Sequence, residues 1–332
     1  MRVSVVCPVY NARPELLSQA VASVLAQEGG VEREVVLVDD GSTSPDTVRA
    51  LQSLEREHPQ VTVVRPGRNG GPARARNLGL QAARFEWIGF IDADDLWPAG
   101  KLEHAAGVER ESPDTQWIGG NFADLGPDDR LTPNTHVTAN CRPVSAGALS
   151  KRLASPDLTR ALISGWLHLG TSFARKELVL RAGGFDERVR YGEDWLLFAR
   201  MSTLAPMDFN PQVGYLLRRQ EASMMRSFGR MSSRYALCAR LARHDPMLKD
   251  FRRELRWYDY GLHKDMAMNN LINHRKLHAA FFSLKAFCIS PDELKELLLF
   301  FKILLLAKPE NRSGSLKKYS SAEQVNLANF QS

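Results

Sequence analysis

The stretch "WIGFIDADDLWP" (residues 87–98) decides the reading of this chain. Its first half, Trp87 to Ile91, is an unbroken apolar run, the pattern of a strand buried on both faces. Its second half sets Asp92, Asp94 and Asp95 side by side. Alternate residues of a strand face the same way, so Asp92 and Asp94 are predicted to point together. Two such carboxylates are tolerated when a divalent cation neutralises them. Mn²⁺ and Mg²⁺ take oxygen ligands, commonly one or two carboxylates together with phosphate oxygens.

Working outward, the same grammar repeats. "VSVVCPV" (3–9), "EVVLVDDGS" (34–42) and "VTVVR" (61–65) read as buried strands. Between them, "PELLSQAVASVLAQ" (14–27), "SPDTVRALQSLEREH" (44–58) and "NGGPARARNLGLQAA" (69–83) carry helical spacing, the last behind a glycine turn. Strands alternating with helices predict an α/β fold with a mostly parallel sheet and right-handed crossovers. Ligands of such sheets bind at the carboxyl ends of the strands. Pro8–Asn11, Asp39–Ser42 and Asp92–Asp95 all fall there, so three polar clusters converge on one edge.

The 332 residues suffice for one large domain with an appendage. Hydrophobic residues at 44% and charged residues at 25% match an ordinary globular protein rather than a disordered or fibrous one. The formal net charge of +6 favours anionic partners without choosing among them. Cys7, Cys141, Cys238 and Cys288 are widely separated, so neither a zinc site nor a disulfide framework is predicted, and a reducing cytoplasm fits. Cys7 reads as core. The opening "MRVSVVCPVYN" lacks the length and cleavage site of a signal peptide. No stretch reaches the roughly 18 uncharged apolar residues of a membrane span.

Past residue 98 the pattern weakens. "DLGPDDRLTPNTH" (124–136) reads as a loop, and "ALISGWLHLGTSFARKELVLRAGGFDE" (161–187) as helix, strand, helix and turn. "GEDWLLFARMSTL" (192–204) opens another helix, and "VGYLLRRQEASMMR" (213–226) a last strand with its exit loop. The chain then turns helical, giving predicted domains of 1–228 and 229–332. "DELKELLLFFKILLLAK" (292–308) has two readings: an internal helix, or a helix on a membrane surface with Lys302, Lys308, Lys317 and Lys318 near anionic lipid. Residues 308–324 form a basic tail. Its charges are not interleaved with aromatics, so nucleic acid is not an expected partner.

Six motifs now stand in order: "VVCPVYN", "VLVDDGS", "NGGPARARNLGL", "FIDADDLWPAGKLE", "GGFDE" and "GEDWLLFARM". Together they resemble the family 2 glycosyltransferases of GT-A fold, over roughly residues 1–226. That resemblance implies a metal-dependent, inverting transferase. It would move sugar from a nucleoside-diphosphate sugar, UDP-linked above all, to a saccharide or lipid-linked acceptor in surface-glycan synthesis. It implies that Pro8, Val9, Tyr10 and Asn11 line the nucleotide pocket and that Asp39 or Asp40 bonds the base or ribose. Gly70, Gly71, Arg76 and Asn77 would lie near the donor, Asp92 on the donor sugar or nucleotide, and Asp94 on Mn²⁺ or Mg²⁺, with Asp95 sharing either task. Asp194 matches the base that takes the acceptor proton. Glu193 would lie beside acceptor hydroxyls, and Trp195 or Trp166 would stack on a sugar. Arg218, Arg219 and Ser223 would meet the diphosphate. Gln220 stands where relatives carry His. The implied location is cytoplasmic, peripheral to the membrane's inner face.

Plainer readings compete at each motif. "DADD" also suits a solvated turn in which Asp95 caps the following helix. "VDDGS" suits a turn with a cap. Glu193 and Asp194 suit first-turn acids that complement a helix dipole. Trp166 and His168 suit packing or an acceptor-side wall. For the whole chain the rival is a non-catalytic sugar-nucleotide-binding scaffold. A nucleotidyltransferase fits poorly, since "PVYNARPE" (8–15) replaces the glycine-rich loop such enzymes place after the first strand.

Overall fold

The computed structural model describes residues 1–133, 149–164, 167–219, 228–273 and 275–289. The expected alternation is present: β1 (Arg2–Val9), α1 (Pro14–Leu25), β2 (Glu32–Asp39), α2 (Pro45–Glu57), β3 (Val61–Val64), α3 (Pro72–Ala82) and β4 (Trp87–Phe90). Then come α4 (Lys101–Glu111), β5 (Trp117–Leu125), β6 (Leu131–Pro133), β7 (Lys151–Leu153), α5 (Asp157–Ile163), β8 (Phe173–Arg175), α6 (Lys176–Arg181), α7 (Glu193–Ser202) and β9 (Met207–Arg218). Helices α8 (Phe228–Arg243), α9 (Arg252–Ile272) and α10 (Lys276–Ile289) close the described chain.

Among the described residues the strands form one sheet in the order β3-β2-β1-β4-β8-β5-β9-β7, with β6 on β5. β1, β2, β3 and β4 are parallel, and β5 and β9 run with them because the short β8 lies antiparallel between β4 and β5. The mostly parallel sheet expected from the alternation is therefore present.

β1 shows why the sheet is covered on both sides. Val3, Val5, Cys7 and Val9 enter one hydrophobic cluster, and Val6 enters the other. Each fully buried valine or leucine contributes about 1.5–3 kcal/mol by leaving water. Ser4 is the polar exception in β1. Its hydroxyl donates to Glu34 at 2.6 Å and accepts from the Phe85 amide at 3.0 Å. Helix α3 approaches β1 through Gly79, where a Cβ would lie 2.3 Å from Val6 Cγ1. That close contact fixes how α3 presents Arg76 and Asn77 at the strand ends.

The chain divides into two compact units. One holds the described residues to 219 together with Arg234–Leu255, and the other holds 228–233 and the described residues from 256 onward. The second unit packs Ala267 of α9 against Ala279 of α10. Among the described residues no helix is long and apolar enough to cross a membrane. The apolar stretch 292–308, the basic tail, Cys141, Trp166, Gln220 and Ser223 lie outside the described residues.

Candidate active site

The carboxyl ends of β1, β2 and β4 lie side by side, and their loops build one edge. Asn11 takes a positive φ of 47°, and its side-chain oxygen accepts from the Thr43 and Ser44 amides at 2.8 and 2.9 Å. It therefore ties the β1 loop to the β2–α2 loop and has little left for a ligand. Val9 is wholly buried, and its carbonyl accepts the Asp40 amide at 2.8 Å. Its side chain is core rather than pocket wall, because strand alternation turns it inward. Tyr10 is the outward residue, 54% exposed, with a ring face available to a nucleobase. Pro8 is half-buried beside it.

Asp39 and Asp40 take different tasks. Both oxygens of Asp40 accept backbone amides, Gly70 and Gly71, each at 2.8 Å. Asp40 is thus spent on the glycine turn that opens α3, where Gly71 adopts φ of 87°. Asp39 caps the Ser42 amide with one oxygen at 2.8 Å, which leaves it the better candidate of the pair for a ligand. Asn77 reaches the other way. It donates to the Phe185 carbonyl and accepts the Phe185 amide, both at 2.9 Å, stapling the "GGFDE" turn to α3.

The acidic stretch departs from expectation in its backbone. β4 ends at Phe90, and the Asp95 amide donates to the Asp92 carbonyl at 3.2 Å, so these residues form a turn instead of a strand end. A turn brings positions i and i+3 together where a strand aligns i and i+2. Ligand atoms of Asp92, Asp95 and His168 consequently gather within 4.8 Å of one another. Asp94, expected as the metal ligand, lies outside that group.

Asp95 is 2% exposed and accepts from the Tyr215 hydroxyl at 2.7 Å and the Arg218 amide at 2.8 Å. It does not cap α4, whose N-cap is Gly100. The Tyr215 hydroxyl also accepts the Asp92 amide at 3.1 Å. Burial pushes Asp95 up to about 8, and the charges of Asp92 and Asp94 push the same way. Burial and then Asp92 also raise Asp94. Burial keeps His168 below its ordinary value despite the pull of Asp92 and Asp194. Its Nδ1 accepts the Gly170 amide at 3.2 Å. Arg218 holds this turn from the side, through its Nε to the Asp94 carbonyl at 2.9 Å and its Nη2 to Gln19 at 2.9 Å. Arg219 pairs with Asp124 at 2.9 Å.

Arg76 joins the two acidic motifs. It is 7% exposed, donates Nη2 to Asp92 at 2.9 Å, and donates Nη1 to Glu193 at 2.5 Å, 117 positions away. Burial would lower its pKa, but Asp92, Glu193 and Asp194 outweigh that and raise it. Both guanidinium arms therefore donate to protein carboxylates, and Arg76 bridges the two motifs. Glu193 is also buried, 7% exposed. Burial lifts Glu193 to about 7, opposed by Arg76 and helped by Asp194. Asp194 begins α7 half-buried, with one oxygen accepting the Trp195 amide at 2.8 Å. Trp195 is 5% exposed and donates its Nε1 to the Ile163 carbonyl at 3.0 Å. It has no free face for a sugar, because helical spacing turns it into the core.

His168 and Tyr215 are the members of this cluster that sequence reasoning did not assign to it. They lie on different elements, and no local spacing links them to the acidic turn.

The site and the sheet define a class. Residues 4–163 match the family model described as Glycosyl transferase family 2. Among curated relatives, the Succinoglycan biosynthesis protein ExoO of Rhizobium meliloti is 32% identical over 68% of this chain and 62% of its own length. The Uncharacterized glycosyltransferase EpsJ of Bacillus subtilis is 30% identical over 58% of this chain and 53% of its own. The chain thus spans between half and two thirds of these relatives. Among solved structures, S. aureus TarS in complex with UDP-GlcNAc aligns with a TM-score of 0.62 at 18% identity, covering 90% of this chain and 84% of that one. The fold is GT-A.

Proposed function

We propose that this protein is an inverting glycosyltransferase that takes a UDP-linked sugar and transfers it to a hydroxyl of a saccharide or lipid-linked acceptor in surface-glycan synthesis. The observation that carries the reading is the convergence of the Asp92–Asp95 turn and the Glu193–Asp194 helix start on one arginine. Donor-binding and proton-accepting groups then share a single site.

Tyr10 stacks on the base, and Asp39 accepts from the base or ribose. Two carboxylates and an imidazole suit a divalent cation; burial first, then the charges of Asp92 and Asp94, raise Asp95, and a cation would relieve both. Asp92, Asp95 and His168 would hold Mn²⁺ or Mg²⁺, with Asp94 adding negative charge nearby. The cation, when bound, neutralises charge on the departing diphosphate. Asp194 accepts the proton of the acceptor hydroxyl as that oxygen attacks the anomeric carbon and the bond to phosphate breaks. Glu193, buried and paired to Arg76, holds α7 so that Asp194 faces the acceptor. The relatives' printed roles in succinoglycan synthesis and the UDP-GlcNAc complex of TarS support the acceptor class and the donor. The expected place of work is the cytoplasmic face of the membrane, and the catalytic unit is taken as residues 1–228 with 229–332 appended.

Asp194→Asn tests the reading. Transfer from UDP-sugars should fall at least about hundredfold in kcat while donor binding stays within twofold. Unchanged transfer would remove Asp194 as base. Nucleotide binding with no turnover on any acceptor would favour the scaffold.

A further inference from the structure

Lys101 occupies a place that ordinary packing does not explain. It is the first residue of α4, where the positive end of the helix dipole opposes an ammonium. It is also 5% exposed. Burying an ammonium is expensive unless it is paired, yet no carboxylate pairs with it among the described residues. Its Nζ donates to the Gly170 carbonyl. The rest of its surroundings are aromatic: Nζ lies 4.2 Å from the Trp97 ring centroid, 5.0 Å from Phe173 and 5.4 Å from Tyr215. Three ring faces and one carbonyl form a cation–π cage.

The cage touches the candidate cation cluster at two points. Tyr215 is one of its walls, and the hydroxyl of that ring donates to Asp95 and accepts the Asp92 amide. Gly170 is the other. Its amide donates to His168 Nδ1 while its carbonyl accepts from Lys101. The Tyr215 ring lies directly on Gly170, since a Cβ there would meet Tyr215 Cε2 at 2.0 Å. Tyr215 and His168 are also in ring contact, 4.8 Å apart at 34°. The Asp95 and His168 side chains and the Asp92 backbone are thus oriented by groups that rest on one buried lysine.

We propose that Lys101 is a positioning residue for the donor diphosphate: it fixes Tyr215 and the Gly170 peptide, and through them sets Asp92, Asp95 and His168 at the spacing a metal diphosphate requires. An apolar side chain of similar length would fill the cage at lower desolvation cost. The Lys101 amine supplies direction: it anchors Gly170 through its carbonyl, and the amide of the same residue donates to His168. The inference rests on the reading that this cluster receives the diphosphate.

The test is calorimetric binding of UDP with Mn²⁺, and of uridine, to wild type, Lys101→Met, Tyr215→Phe and the double variant. Thermal unfolding of each accompanies it. Lys101→Met should weaken UDP with Mn²⁺ about tenfold and leave uridine within twofold, because uridine contacts only the Tyr10 and Asp39 side. Tyr215→Phe should weaken UDP similarly. The double variant should be scarcely weaker than either single one, since both act through one path. Equal UDP affinity in folded Lys101→Met, losses that multiply in the double variant, or parallel losses for UDP and uridine would each overturn the proposal. If Lys101→Met does not fold, the Tyr215→Phe comparison carries the test, and a UDP affinity equal to wild type overturns it. Failure of wild type to bind UDP with Mn²⁺ would instead overturn the functional reading beneath it.

Discussion

At the scale of single residues, the site is an electrostatic balance centred on Arg76. Its two arms pair with Asp92 and Glu193, and removing it leaves Glu193 without a partner in a buried place and Asp92 without one in a half-exposed place. Arg76→Met should therefore destabilise the fold by about 3 kcal/mol in denaturant unfolding. A change under about 1 kcal/mol would show that the bridge is weak. Glu193 carries a pH signature with a definite sign. Its usual value is 4.5 and burial lifts it to about 7, so between those values the folded chain holds a proton that the unfolded chain has lost. Stability from this group is fully present below about pH 4.5 and is lost as pH rises toward 7. The stability of wild type relative to Glu193→Gln should accordingly fall between pH 5 and pH 7.5, read from denaturant midpoints. A flat difference would contradict the buried, raised carboxyl.

At the scale of elements, loops hold the site and strands aim it. Asp40 shows the division, since it spends both oxygens on the Gly70–Gly71 turn before α3. Asp40→Ala leaves two amides without partners and should cost about 1–3 kcal/mol in unfolding experiments. Gly170→Ala forces a methyl into the Tyr215 ring and should cost about 1–3 kcal/mol as well. This scale also shows what the sequence made legible. β1 through β4 were readable because each is a short apolar run between turn signals and helical spacing. β5 was not, because "WIGGNFADL" breaks its apolar pattern with two glycines and an asparagine. β7 has three residues, too few for a period to register. The acidic turn was legible in composition but not in geometry. Strand alternation pairs Asp92 with Asp94, whereas the Asp95-to-Asp92 hydrogen bond pairs Asp92 with Asp95. His168 and Tyr215 join only through the β5–β8–β9 part of the sheet, a long-range pairing that no local spacing announces.

At the scale of the whole molecule, the mixed sheet draws motifs from residue 8 to residue 218 onto one edge, the placement expected of a sheet whose principal strands share a direction. In the proposed function, the acidic turn at the end of β4 holds a metal diphosphate. The most direct measurement is calorimetric titration of UDP into wild type and Asp92→Ala, each with and without Mn²⁺. The account predicts binding to wild type that requires the metal, and loss of that binding in a folded Asp92→Ala. UDP binding that ignores both the metal and the substitution would contradict it.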